Sequence, residues 1–323
     1  MKIINANAIL LKEKNPYKQI ELAGRTCYKS EDKITDESAV KFVGVLAKNK
    51  HTAMLEHAWL HINCKMNIDL FRELKSLTAG VRNYILCDDY WISGSFRALI
   101  EFINLNYETS DAVKSLAEKL IFTYHDVFKY LDSYSDNKTY SDTPMFDVYD
   151  NDEFANVCKN NNVLYKHLTH TIKFICDRGV THEFVRHRPC AFAQESSRYC
   201  NYSNDKFGNE ITVIHPCFWG TNDEIANDDN ATSKFLAWRQ SCQNAEAKYF
   251  EMIENGAKPE EARDVLPNSL KTELVITATE DEWQHIINLR LIGTTGKPHP
   301  QIVEVMQIAT PLLIAESNNR LHN

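Results

Sequence analysis

Four basic side chains, Arg186, His187, Arg188 and Arg198, fall in the stretch THEFVRHRPCAFAQESSRYCNYS at residues 181–203, inside a chain of formal net charge −8. Guanidinium groups at this density suit phosphate or carboxylate, because their forked N–H donors meet two oxygens at once. The same stretch carries Gln194, Ser196 and Ser197, neutral groups that donate or accept, and the aromatic residues Phe192, Tyr199 and Tyr202. Arginine for phosphate, amide and hydroxyl for a base edge, and aromatic walls for a flat ring together suit a nucleotide. The plain alternative is a solvated helix end, where arginines meet the carbonyls of the last turn. Against it stand the splay of the cluster at a helix end, the return of Arg198 after a polar loop, and the interleaved aromatics.

Other residues able to take part are more dispersed. HTAMLEH holds His51, Glu56 and His57 ahead of an alternating run; Arg263 stands before Pro267 and Asn268; Arg290 lies near a helix end, and His299 in a Gly/Pro loop. Several familiar motifs fail on spacing. HEFVRH is one residue too long for a zinc-binding H-E-x-x-H, and His182 and His187, five apart, sit about 140° apart around a helix. GTTGKP is too short for a phosphate-binding loop and has Pro298 where a magnesium-binding hydroxyl belongs. No G-x-G-x-x-G follows a predicted strand, and no G-x-S-x-G offers a nucleophile.

The elements that must position these residues follow from periodicity and caps. Val40, Val43 and Leu46 predict a helix over 36–48 with Thr35 or Asp36 as its cap. SFRALIEFINLN reads as a helix, and a long one is predicted from Ser110 to Tyr134. The polar run from 135 to 162 reads as a mobile excursion. THTIKFICD reads as a strand and RGVTHEFVRHR as a helix ending near Arg188, because Pro189 disfavours helical geometry there. A helix from Thr232 to about Asn255 ends at Gly256, and Pro259 opens the next. Thr279 and Glu282 form a predicted capping box, and PQIVEVMQIATPLLIAES a closing helix. The sum is α+β: a small antiparallel or mixed sheet flanked by helices, with a largely helical insertion.

Composition bounds the partners. With 43% hydrophobic and 25% charged residues, the 323-residue chain has material for a sizeable core. The acidic balance argues against a protein built to coat nucleic acid or an anionic membrane. The nine cysteines are scattered without a C-x-x-C pair, which points to reduced thiols rather than a disulfide framework or a zinc site. No signal peptide or membrane-length apolar run is evident, so a cytoplasmic location is expected.

Taken together, the segments resemble the flavin-dependent thymidylate synthases. That family is marked by R-H-R, seven residues, Ser, and then Arg-Tyr two positions on. Arg186, His187, Arg188, Ser196, Arg198 and Tyr199 stand in that register, and AGRTCY, HTAMLEH, EARDVLPNSLKTEL and NLRLIG…HPQ flank them in the family order. The resemblance implies one catalytic domain over 1–323, interrupted by an insertion at about 66–163, where the match is loose. It implies conversion of dUMP to dTMP with methylenetetrahydrofolate as carbon donor, NADPH as reductant and FAD as cofactor, in a homotetramer with shared active sites and no metal. By matching positions, Arg186, Gln194, Ser196, Arg198, Arg263 and Arg290 are implied at dUMP, with Arg290 at the pyrimidine and Ser196 as an orienting group, not a nucleophile. His51, Glu56, Arg186, His187, Arg188, Thr279, His285 and His299 are implied at FAD. The chain departs from the family at Ala191, Ala193, Gln194, Thr279 and His285, where Ser, Asn or Ser, Glu, Asn and Asn are frequent. Two other readings stand beside this one: a nucleotide-binding relative without catalysis, and an RNA-binding protein that uses the R-H-R patch.

Overall fold

The computed structural model describes residues 1–82, 84–198, 200–220, 225 and 227–323. Its central sheet is built on β10 (Lys271–Thr279), whose run of Val, Ile and Thr is buried on both faces, as a covered strand requires. β10 pairs antiparallel with β7 (Thr169–Asp177) over nine residues, Lys271 opposite Asp177 and Thr279 opposite Thr169. On its other edge it pairs with β8 (Ala191–Gln194), Leu274 opposite Gln194 and Thr277 opposite Ala191. β2 (Asn7–Leu11) completes the order β2-β7-β10-β8.

Alternation along β10 divides the packing. Leu274, Ile276 and Ala278 point into a core with Phe174, Phe184, Trp283 and Ile302. This face is closed by α8 (Arg178–Phe184), α11 (Glu280–Ile287) and α12 (Pro300–Glu316). Val275 points the other way, onto Ala23 of α1 (Pro16–Tyr28). The 3-10 turn Thr52–His57 covers the same side, where His57 meets Thr277.

A second antiparallel sheet has the order β4-β5-β3-β6, from β3 (Trp59–Asn63), β4 (Ile85–Asp88), β5 (Trp91–Ser95) and β6 (Asp147–Asp150). Around it pack α2 (Ser38–Lys48), α3 (Ile68–Leu77), α4 (Phe96–Asn106), α5 (Asp111–Thr123) and the single turn α6 (His125–Phe128). Leu60, Ile62, Phe96, Phe102, Phe128 and Phe146 form their common core. β1 (Lys2–Ile4) pairs parallel with β9 (Thr212–Ile214), beside α9 (Asp229–Glu254) and the turn α10 (Pro259–Ala262). Among the described residues no helix is long and apolar enough to cross a membrane.

The architecture is the expected α+β. Helices dominate residues 66–163, and three strands from that segment join β3 in a sheet of their own. Several boundaries differ from expectation. α2 begins at Ser38 with Glu37 as N-cap, because the Ser38 hydroxyl accepts from the Thr35 amide and donates to Glu21. The helix expected over 110–134 breaks at Tyr124, whose ring packs edge-on against Phe96, 5.3 Å between centroids. The polar run 135–162 is no simple excursion. Phe146 and Phe154 are fully buried, and Asp150 with Glu153 forms the capping box of α7 (Asn151–Cys158).

Three imidazoles are buried between these layers. His61 Nδ1 and His167 Nδ1 each lie 2.8 Å from Ser93 Oγ, and His167 Nε2 lies 3.0 Å from Asp88. Burial holds His61 and His167 below the ordinary histidine range and pushes His57 down to about 4. The unfolded chain takes up protons on these rings near pH 6.5, roughly their free value, whereas the folded chain takes them up only at lower pH. Protons bound preferentially by the unfolded state draw the equilibrium toward it, so stability falls as pH drops below that value. The urea midpoint is expected to decrease between roughly pH 7.5 and pH 5 at unchanged slope. A flat midpoint would mean that these rings protonate without cost in the folded state.

Candidate functional site

α8 ends at Phe184, two residues before Arg186 and earlier than the proline alone requires. The His187 amide turns back to the Phe184 carbonyl at 3.0 Å, which buries His187 and leaves Arg186 and Arg188 exposed. Among the described residues neither of these arginines has an ion-pair partner. Thr279 Oγ1 accepts from the Glu282 amide at 3.4 Å and caps α11, but the predicted capping box is only half made. The Glu282 carboxylate pairs with His187 Nδ1 instead, at 3.2 Å.

Arg290 closes this cluster from a π-helical turn, Asn288–Ile292, which follows α11. Gly293 ends the turn at φ +79°, where a Cβ would stand 2.8 Å from the Gly296 carbonyl. Arg290 Nε donates to His187 Nε2 at 3.1 Å, Nη1 to Glu183 at 2.9 Å, and Nη2 to the Glu183 carbonyl at 3.1 Å. The donation into Nε2 settles the tautomer. Nε2 carries the lone pair, so the ring proton sits on Nδ1 and faces Glu282. A guanidinium has five N–H donors, so Arg290 keeps two free for a ligand.

Glu183 and Glu282, absent from the sequence-based set, are therefore what orient Arg290 and His187. Their signal was the i, i+4 spacing of Glu183 and His187 and the acidic first turn of α11, neither of which points to Arg290. His285 lies edge-on to His187 at 5.7 Å, and His299 Nδ1 is 4.0 Å from Glu183. His187, Glu282 and His285 could place ligand atoms within 4.8 Å of one another around a metal. Both ring nitrogens of His187 already have hydrogen-bond partners, so an ion there must replace the Nδ1 proton that faces Glu282 or displace Arg290 from Nε2.

The second group stands at the opposite end of β10. Gln194 donates to Thr181 Oγ1 at 3.1 Å and to Thr272 Oγ1 at 3.4 Å. The Ser196 amide donates to the Cys27 carbonyl at 3.0 Å, which leaves its hydroxyl half-exposed. Arg198 Nε is 3.9 Å from Glu260, one turn before the half-buried Arg263. Beneath this loop lies a compact charge network. Lys271 bridges Glu195 at 2.8 Å and Glu273 at 2.6 Å, and Glu273 also takes Lys29 at 2.8 Å and Lys173 at 3.2 Å. Burial alone would raise the Glu273 carboxyl; Lys271 and Lys29 overcome that and hold it at about 2.

The flavin-side candidates are only partly gathered. Glu56 and Arg188 line a groove of about 390 Å³ with Trp59, Arg82, Tyr84 and Pro189. Arg97 of α4 reaches Glu56 at 2.5 Å, so the segment between 66 and 163 touches this side directly. His51 is exposed at the start of its 3-10 turn and, among the described residues, is paired with no other candidate. Tyr202 does not line the site: it is buried against Tyr249 and Phe207. Tyr199 lies outside the described residues. All nine cysteines are free; burial raises Cys190 and pushes Cys200 up to about 12, so neither supplies a thiolate.

Residues 9–77 and 153–313 match the Thy1 family model, described as thymidylate synthase complementing protein. A flavin-dependent thymidylate synthase of Pyrococcus furiosus is 30% identical over 40% of this chain and 48% of its own length. One from Geobacter sulfurreducens is 27% identical over 35% of this chain and 43% of its own. The matched part of the chain thus spans about half the length of these curated relatives or less. A UMP/dUMP methylase of Streptomyces cacaoi, solved with 5-Br dUMP, aligns over 98% of this chain and 93% of its own at 12% identity. Its TM-score is 0.40, too low a likeness to bear on the site.

Removing Glu273 would leave Lys29, Lys173 and Lys271 with one buried carboxylate, Glu195, among them. Glu273→Ala is therefore expected to destabilise the fold by roughly 3 kcal/mol in denaturant unfolding. A loss below about 0.5 kcal/mol would show that solvent screens the network as it does a surface pair.

Proposed function

The chain belongs to the Thy1 family of flavin-dependent thymidylate synthases, and on that premise we propose that it converts dUMP to dTMP. In this reading methylenetetrahydrofolate is the carbon donor, and bound FAD, reduced by NADPH, contributes hydride delivery. The observation that carries the reading is Arg290, fixed on three sides by His187 and Glu183 with two N–H donors left over. A guanidinium held in this way meets a pyrimidine carbonyl without reorganising and stabilises negative charge as it develops on the ring oxygen.

Arg198 and Arg263 hold the dianionic phosphate, helped by the Ser196 hydroxyl, and the free Gln194 carbonyl accepts from the sugar or base. Among the described residues no base is paired with the Ser196 hydroxyl, which in this reading acts by orientation. The donor set also fits a cofactor bearing a diphosphate: Arg186 and Arg188 are exposed and unpaired among the described residues, and the Arg188 groove is walled by Trp59 and Tyr84. Thr279, His285, His299, His51 and Glu56 complete that side, with Glu56 held by Arg97. Among the described residues, the groove lined by Glu56 and Arg188 includes none of Ser196, Arg198 and Arg263. With the family resemblance, we propose a homotetramer in which neighbouring subunits complete each site. The segment at about 66–163 is read as an insertion into one catalytic domain, one that lends Arg97 to the flavin side.

A nucleotide-binding relative without catalysis is the second reading, favoured by one observation: the Glu183 carboxylate offsets the charge of Arg290. Anaerobic mixing with FAD, NADPH, methylenetetrahydrofolate and dUMP separates the two. Flavin bleaching followed by reoxidation and dTMP formation is expected; dUMP binding without flavin reduction would leave only the second reading. In the active enzyme, Arg263→Ala is expected to raise the dUMP KM by about tenfold to a hundredfold, the worth of one charge-assisted phosphate contact. Arg290→Ala is expected to lower kcat, since its contact strengthens in the transition state.

A further inference from the structure

The chain uses one order of elements twice. The 3-10 turn Thr52–His57 leads into β3, α3, β4, β5 and α4. A second 3-10 turn, Asn162–His167, leads into β7, α8, β8 and, after a longer excursion, β10 and α11. The sheets match strand for strand, β6-β3-β5-β4 against β2-β7-β10-β8, with every neighbouring pair antiparallel.

The two units also exchange equivalent contacts. His57 Nδ1 lies 2.9 Å from Thr277 Oγ1 in β10, and His167 Nδ1 lies 2.8 Å from Ser93 Oγ in β5. Each hydroxyl stands two residues before the N-cap of the helix that follows, Thr279 for α11 and Ser95 for α4. The first amide of each helix donates to the carbonyl just after a histidine, Glu280 to Leu168 at 2.9 Å and Phe96 to Ala58 at 3.0 Å. Reciprocal contacts of this kind are the mark of a two-fold relation.

That relation pairs two connections. The R-H-R stretch lies between α8 and β8; its counterpart lies between α3 and β4 and carries Arg82, outside the residues that match the family model. Both connections line the groove of about 390 Å³, Arg188 and Pro189 from the one, Val81, Arg82 and Tyr84 from the other.

The charges of the groove select its ligand. Its charged lining residues are Glu56, Arg82 and Arg188, and Glu56 is taken by Arg97 at 2.5 Å. The Arg82 amide donates to Glu101 at 2.9 Å, which ties its backbone to α4. The Arg82 side chain is exposed and, like that of Arg188, has no ion-pair partner among the described residues. Burial, then Asp281 and Glu282, raise the Tyr84 phenol, which stays a neutral donor; neither carboxylate lines the groove, and Glu282 is paired with His187. Two uncommitted guanidiniums suit an anion with two charged groups, because each fork can take one phosphate.

We propose that Arg82 binds the cofactor diphosphate together with Arg188, so that the segment inserted at about 66–163 supplies a phosphate contact of its own. The assignment rests on the reading of this groove as the flavin side.

Titration of the full chain with FAD, followed by flavin fluorescence, tests it. Arg82→Gln is expected to weaken FAD binding about tenfold, the worth of one charge-assisted phosphate contact. Arg82→Lys, which keeps the charge, is expected to stay within about threefold of the unaltered chain. An exposed side chain without a partner can be replaced without loss of the fold. Equal weakening by both variants would mean that the side chain only shapes the groove, and would overturn the assignment. FAD bound equally by Arg82→Gln and the unaltered chain would overturn it too; weakening by Arg188→Ala in the same series would then leave the flavin reading standing. No FAD binding by the unaltered chain would remove the flavin reading and this assignment with it.

Discussion

The structure depends on the pairing of β10 with both β7 and β8. Nine register pairs on one side and four on the other fix a strand that is buried almost end to end. A one-residue slip would turn Val275 toward Trp283 and Leu274 toward Ala23, exchanging the two faces of the core. That constraint also sets the span of the site. Lys271 and Glu273 at one end of β10 seat the loop that carries Ser196 and Arg198. Thr279 at the other end starts the helix whose Glu282 holds His187.

Charge is handled differently at the two ends. Beneath the Ser196 loop, three lysines surround two carboxylates, and attraction outweighs desolvation strongly enough to hold Glu273 ionised. At the Arg290 end, a neutral imidazole stands between a carboxylate and a guanidinium and transmits orientation without adding charge. The first arrangement anchors a backbone; the second aims a side chain. Both are needed if a phosphate and a ring are to be held at a fixed separation.

Much of this was legible in the residues. THTIKFICD is a strand, Gly256 ends its helix at φ +90°, and Pro259 opens the next helix. These signals are local, since caps, prolines and alternation act within a few positions. Two of the misreadings share a cause. Tyr124 breaks a helix because Phe96 receives its ring, and the polar run 135–162 is ordered because Phe146 and Phe154 find a core. In each case a partner distant in sequence overrides the local pattern.

The candidate site divides the same way. Residue types and spacing by themselves determined the family, the arginine framework and the α+β class, because a fixed run of Arg, His, Ser and Arg is information carried within a few turns of chain. Tertiary structure alone decided which donors remain free. Arg290 meets His187 and Glu183 across 103 and 107 positions, and His187 meets Glu282 across 95. Over such separations only the packing of α8 and α11 against β10 brings the partners within 3.2 Å. A hydrogen bond depends on angles and tenths of an ångström, and no spacing in the sequence encodes those.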